Sequence, residues 1–208
     1  MTAKLDTLAR VTAETAAELR EWLAKHHRQS ASVWIVTYKK GASRPHLPWS
    51  DLVDEALCFG WIDSLPRKLD RERTLHLLSP RKAGSAWSAV NKAKVESLVA
   101  AGRMTQAGLA KIDAAKKDGS WTRIDAAHAL AIPADLAAAF APDPVAAANF
   151  AAFAPSSRRA ILEWIALAKR PETRAKRVAE TARLAGQNRK ANHPAGRDQG
   201  VLSTKKAR

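Results

Sequence analysis

Apolar positions along this chain change period several times, and each change marks an element. Over residues 13–29, Leu19, Trp22 and Leu23 fall at helical spacing, while Glu14, Glu18, Arg20 and Lys25 fill other positions. That pattern predicts an amphipathic helix. Ser32 to Tyr38 is rich in β-branched and aromatic residues and predicts a strand. Gly41, Pro45 and Pro48 make the next stretch a loop. A second helix is expected from Ser50 as N-cap. Asp51, Asp54 and Glu55 lie in its first turns, where carboxylates favour the positive end of the dipole, and Val53, Ala56 and Leu57 face inward. Gly60 is its expected stop. Trp61 to Ser64 and Arg73 to Ser79 predict two more strands about a turn at Pro66 to Arg71. The simplest arrangement is a small antiparallel sheet with helices packed on one face.

Past Pro80 the period is helical. Ser85 is the candidate N-cap of a helix to Ala101, with Val95, Leu98 and Val99 inward and Gly102 as the stop. Thr105 caps the next, with Leu109, Ile112 and Ala115 inward and Gly119 as the stop. Residues 85–118 therefore predict a helical hairpin. Residues 122–132 read as a connector. Pro133, Pro142, Pro144, Pro155 and Pro171 then punctuate a series of helices, since proline suits a first helical turn. From Gly186 onward, Gly, Pro, Asn, Gln and basic residues leave nothing to bury, which predicts disorder. The expected class is α+β: an α+β domain over residues 1–121, a C-terminal helical module over 122–187, and a disordered basic tail over 188–208.

Charge adds a second layer. The chain carries 35 Lys/Arg against 20 Asp/Glu, a net +15. Residues 157–208 hold 14 and 4 of these, a net +10, and residues 1–156 hold 21 and 16, a net +5. Such asymmetry points to a polyanion or nucleic acid as partner for the C-terminal end, or to a solvated basic face. Arg170, Arg174 and Arg177 share one helix stripe and are the candidate polyanion contacts. No aromatic residue interleaves them, and no base-reading motif accompanies them.

Candidate chemistry is sparse. The single cysteine, Cys58, excludes an intrachain disulfide and a cysteine-held zinc. It falls at a helix C-terminus, the wrong end of the dipole for a thiolate, and is expected buried and inert. The six histidines lack metal-ligand spacing, so no metal or cofactor is expected. Glycine-rich nucleotide loops and a nucleophile elbow are absent, and the question of catalysis stays open. The N-terminus lacks an apolar signal region, and no apolar run reaches the roughly 18 residues of a membrane span. A cytoplasmic location without a membrane span is therefore expected.

One polar cluster stands out. Strand alternation puts Trp61 and Asp63 on one face, with Arg67, Arg73 and Arg81 as candidate ion-pair partners for Asp63 at the rim of a concavity. Arg81, Ser85, Trp87, Ser88 and Asn91 surround a helix start, whose unpaired N–H groups attract anions. Trp61, Asp63, Arg67, Arg81, Ser85, Trp87 and Asn91 are thus the candidate pocket for a small anionic ligand. A well-capped helix has the same composition.

Several segments carry a family resemblance: Val33-Trp34, Tyr38 to Lys40, Ala56 to Asp63, Pro80-Arg81, Ser85 to Ser88, Asn91-Lys92, Gly102 to Thr105, Gly108-Leu109 and Ala115 to Trp121. Further along, Ser156 to Arg159, Trp164-Ile165, Ala168 to Arg170 and Glu172 to Arg177 continue it. Over about residues 14–187 the chain resembles the YdeI/OmpD-associated (OmdA, bacteriocin-protection) family. The resemblance implies the fold and a protective role, without a defined reaction. A non-catalytic binding or protection protein is the leading expectation. An enzyme for a small anionic substrate and a nucleic-acid-associated protein are the alternatives.

Overall fold

The computed structural model describes residues 5–192. The chain divides into two compact units, Met1–Trp121 and Thr122–Arg208. The first is α+β and the second is helical.

In the first unit, β1 (Arg10–Thr12), α1 (Ala16–His26) and β2 (Val33–Tyr38) form a strand–helix–strand crossover. Thr15 caps α1 by accepting the Glu18 N–H at 3.2 Å, and Leu19 and Leu23 are buried. Next come α2 (Trp49–Cys58), β3 (Trp61–Lys68) and β4 (Arg73–Pro80). The sheet order is β1-β2-β4-β3. Strands β2, β4 and β3 are antiparallel as expected, whereas β1 adds a parallel edge to β2, pairing Arg10 with Trp34. Three residues with only Val11 half-buried give no alternation to read, which is why the sequence hid β1.

Two boundaries shift. Helix α2 starts at Trp49 behind Pro48, so Ser50 lies inside its first turn and donates to Asp51 at 2.9 Å instead of capping. Strand β3 continues through Pro66, which an edge strand tolerates, after a register shift between Asp63 and Pro66. The hairpin turn falls later, where the Asp70 carboxylate accepts the Glu72 and Arg73 N–H groups at 2.9 and 2.8 Å.

Both sheet faces are covered. Val33, Ile35 and Leu78 join α1, α2 and the hairpin helices in the main core. Trp34, Val36, Leu75 and Leu77 form a smaller cluster on the other face, covered by Leu5, Leu8 and Leu69. Double coverage explains why β2 reads as a continuous apolar run.

The helical hairpin is α3 (Ala89–Ala100) and α4 (Gln106–Lys117). Ser88, not Ser85, caps α3, accepting the Asn91 N–H at 3.2 Å. Residues 81–87 are consequently loop, so Trp87 does not share a helix face with Asn91. Val99 is 50% exposed instead of inward, because Val95 and Leu98 already fill the buried stripe.

The second unit holds α5 (Asp125–His128), α6 (Ala134–Phe140), α7 (Pro144–Ala152), α8 (Pro155–Ala166) and α9 (Pro171–Gly186). Its core gathers Leu136, Phe140, Phe150, Ile161, Leu162, Ile165, Val178 and Leu184. Asp143 caps α7 through the Val145 and Ala146 N–H groups, both at 3.1 Å. Burial does not stop at Gly186, because Ala191 joins this core. The remainder of the expected tail, residues 193–208, lies outside the described residues. No helix among the described residues is long and apolar enough to cross a membrane.

Candidate functional site

The Cys58–Gly60 joint positions the site. Gly60 turns the chain from α2 into β3 at φ 73°, and its carbonyl accepts the Arg81 N–H at 3.0 Å. The Cys58 carbonyl accepts the Thr105 N–H at 3.1 Å and its hydroxyl at 2.6 Å, which docks the start of α4. A Cβ on Gly108 would fall 2.3 Å from that carbonyl, and one on Gly60 would fall 2.6 Å from Lys111 Cγ. Glycine at both positions therefore lets α4 lie close against the joint. Ala56 to Asp63, one of the segments that carry the family resemblance, thus serves close packing at this joint.

A partly enclosed cavity of about 60 Å³ lies between the loop after β4 and α4 with its C-terminal turn. Arg81, Lys82 and Trp87 line it from the loop, and Lys111, Asp118 and Ser120 from the other side. Roughly 10–15 Å³ suffices for one water, so the space is larger than a single water needs. Arg81 is only 2% exposed. Its guanidinium stacks 3.7 Å from the Trp87 ring centroid and donates from Nη1 to the Ala86 carbonyl at 3.0 Å. Four buried atoms here have no hydrogen-bond partner among the described residues: Arg81 Nε and Nη2, Trp87 Nε1 and Ser120 Oγ. All four carry hydrogens to donate.

Burial pulls the Arg81 pKa down to about 10, while Asp63 resists from a distance. The side chain stays cationic at neutral pH. Among the described residues no carboxylate pairs with it. The π face of Trp87 offsets part of the desolvation. Asp118 holds the opposite wall, its two oxygens accepting the Gly84 and Ser120 N–H groups at 3.0 and 2.8 Å. The recess thus has a buried cation on one wall and a carboxylate on the other.

Of the expected pocket residues, Arg81, Ser85 and Trp87 line this cavity. The others lie elsewhere. Trp61 is core, its indole donating to the His27 carbonyl at 3.0 Å. Arg67 pairs with Asp6 at 2.6 Å and stacks over Trp34, on the other sheet face. Asn91 sits in the first turn of α3, outside the cavity lining. The expected Asp63 ion pair does not form among the described residues. Asp63 accepts the Trp49 indole N–H at 2.9 Å, while Arg73 pairs with Asp70 at 2.6 Å. Arg67 and Arg73 each have a nearer acid, and Arg81 pairs with none among the described residues. Sequence reasoning missed Lys111 and Ser120, because Gly119-Ser120-Trp121 reads only as a helix stop.

Cys58 is fully buried, and burial pushes its thiol pKa up, in keeping with an inert side chain. No group of three or more His, Cys, Asp or Glu among the described residues could hold a metal ion.

The C-terminal arginine stripe is largely spent inside its own unit. Arg174 pairs with Asp135 at 2.7 Å. Arg177 donates to the Trp164 carbonyl and stacks 4.9 Å from that ring. Only Arg170, which precedes α9, is left exposed.

Comparison with known families divides the chain along similar lines. Residues 129–188 match the OmdA family model, described as Bacteriocin-protection, YdeI or OmpD-Associated. The helical unit carries the OmdA match. Residues 11–111 match a different model, a domain of unknown function (DUF8412). The motifs between Val33 and Leu109 that suggested the OmdA family thus fall in that second match. No curated protein and no solved structure is significantly similar. Most of the cavity lining, up to Lys111, therefore belongs to the DUF8412 region, Ala114, Ala115, Asp118 and Ser120 lie just beyond it, and the OmdA segment supplies none of it.

Proposed function

We propose that the N-terminal unit is a non-catalytic binding module that receives the oxyanion group of a small ligand at Arg81. The observation that carries this reading is a guanidinium 2% exposed with two unpartnered nitrogens and no ion pair. Burying a charge without compensation costs several kcal/mol. Stacking on Trp87 recovers about 2 kcal/mol of that cost, and an anion would add to what the protein supplies. Trp87 Nε1 and Ser120 Oγ, on residues that line the same recess, are further buried donors without partners among the described residues. Capture without turnover also suits the protective role in the description of the OmdA match.

The test is calorimetric titration and thermal unfolding of the full chain with phosphate, sulfate and acetate at low ionic strength. Saturable one-to-one binding is expected, with stabilisation of about 2.7 kcal/mol at a hundredfold excess over Kd. Arg81→Met should abolish binding while its circular dichroism matches the parent. Absence of saturable binding by all three anions would overturn the reading.

A further inference from the structure

The charges that line the cavity are unequal. Arg81, Lys82 and Lys111 contribute three cations and Asp118 one carboxylate, a surplus of two positive charges. Lys92 and Lys116 lie 5.8 and 5.5 Å from the ring of Trp121, which in turn packs 5.0 Å from Trp87, so the positive field extends past the cavity. A carboxylate would neutralise half of that surplus. The unpartnered buried donors belong to three side chains that line the cavity: a guanidinium, an indole and a hydroxyl. A planar carboxylate presents two oxygens in one plane, whereas a tetrahedral group presents three around an axis. The 60 Å³ space admits such a group and no sizeable substituent, which must leave through the open side.

We infer that the ligand of this cavity is a phosphate monoester bound as its dianion, with the ester group directed outward past Lys82 and Lys111. This rests on the oxyanion reading above and narrows it to one charge state and one geometry. Arg81 supplies the buried charge, Trp87 and Ser120 complete the donor set, and the two exposed lysines balance the second charge.

Full-length protein is titrated with methyl phosphate, sulfate and acetate at pH 5 and pH 7. The second phosphate ionisation lies near pH 6, so methyl phosphate affinity should rise about tenfold between these values. Sulfate, a dianion throughout, should bind equally at both and so reports any change in the protein itself. Acetate should bind at least about tenfold more weakly than methyl phosphate at pH 7. Lys82→Ala combined with Lys111→Ala removes two exposed side chains and should weaken methyl phosphate severalfold more than acetate. Trp87→Phe keeps the ring under Arg81, removes the indole donor, and should weaken all three. Acetate binding as tightly as methyl phosphate, or a methyl phosphate profile as flat as that of sulfate, would overturn the dianion inference and leave the oxyanion reading standing. Failure of all three anions to bind would overturn both.

Discussion

Glu55 and Arg81 are both buried charges of the N-terminal unit, 3% and 2% exposed, yet their surroundings differ. Glu55 on α2 accepts from Arg20 Nη1 at 2.8 Å and from Arg103 Nη2 at 2.7 Å. Arg20 also donates from Nη2 to the Arg103 carbonyl at 2.8 Å, tying α1, α2 and the hairpin turn into one network. Arg81 has one carbonyl, one indole face and no carboxylate. A charge whose partners are complete within the fold serves the fold. A charge whose partners are incomplete, beside a cavity, is the place to test for a partner from outside. The same rule sorts the C-terminal arginines, since Arg174 and Arg177 have internal partners and are better read as structural.

The sharpest break of this comparison removes both partners of Glu55. Arg20→Met with Arg103→Met leaves a buried carboxylate unpaired, and unfolding free energy in urea should fall by about 3–5 kcal/mol. A loss below about 1 kcal/mol would mean that the network is not structural. At Arg81 the expectation reverses. Arg81→Met replaces an incompletely paired cation with an apolar chain of similar length, and without added anion the stability should stay within about 1 kcal/mol of the parent. A large loss would make Arg81 another structural charge and remove the ground for a ligand.

The smallest effect is expected at the partly exposed Asp135–Arg174 pair, and it calibrates the other two. The Arg174 guanidinium holds the Asp135 carboxyl below its usual range, with the Leu136 N–H adding to the shift. A lowered folded-state pKa gives stability that is present above the unfolded value, about 4, and is lost as pH falls through the folded value. Arg174→Met should therefore cost less than about 1 kcal/mol at pH 7, and the difference from the parent should shrink below about pH 4. Urea titrations of both proteins at pH 7 and pH 3 measure it.

Elements with strong local signals were legible. Leu19 and Leu23 marked α1, and Thr105 was correctly read as the cap of α4 because its hydroxyl acts on the N–H three residues on. Ser85 was the expected cap of α3, but Ser88 takes that position and Trp87 packs against Arg81 in the loop before it. Arg81 and Trp87 could be nominated together because they are six residues apart and meet locally. Asp63 could not be placed, since its donor, Trp49, comes from the first turn of α2.

The sequence alone determined that this chain alternates α and β elements before it becomes wholly helical, and where most of those elements cap and stop. Those properties depend on residues within a turn or two of one another. Only the tertiary structure decided that Lys111 and Ser120 face the Arg81 loop, that Arg174 and Arg177 are consumed internally, and that β1 pairs in parallel. Charge pairing and desolvation depend on which distant segments meet, and no local pattern encodes the distance between Arg81 and a serine 39 positions further along.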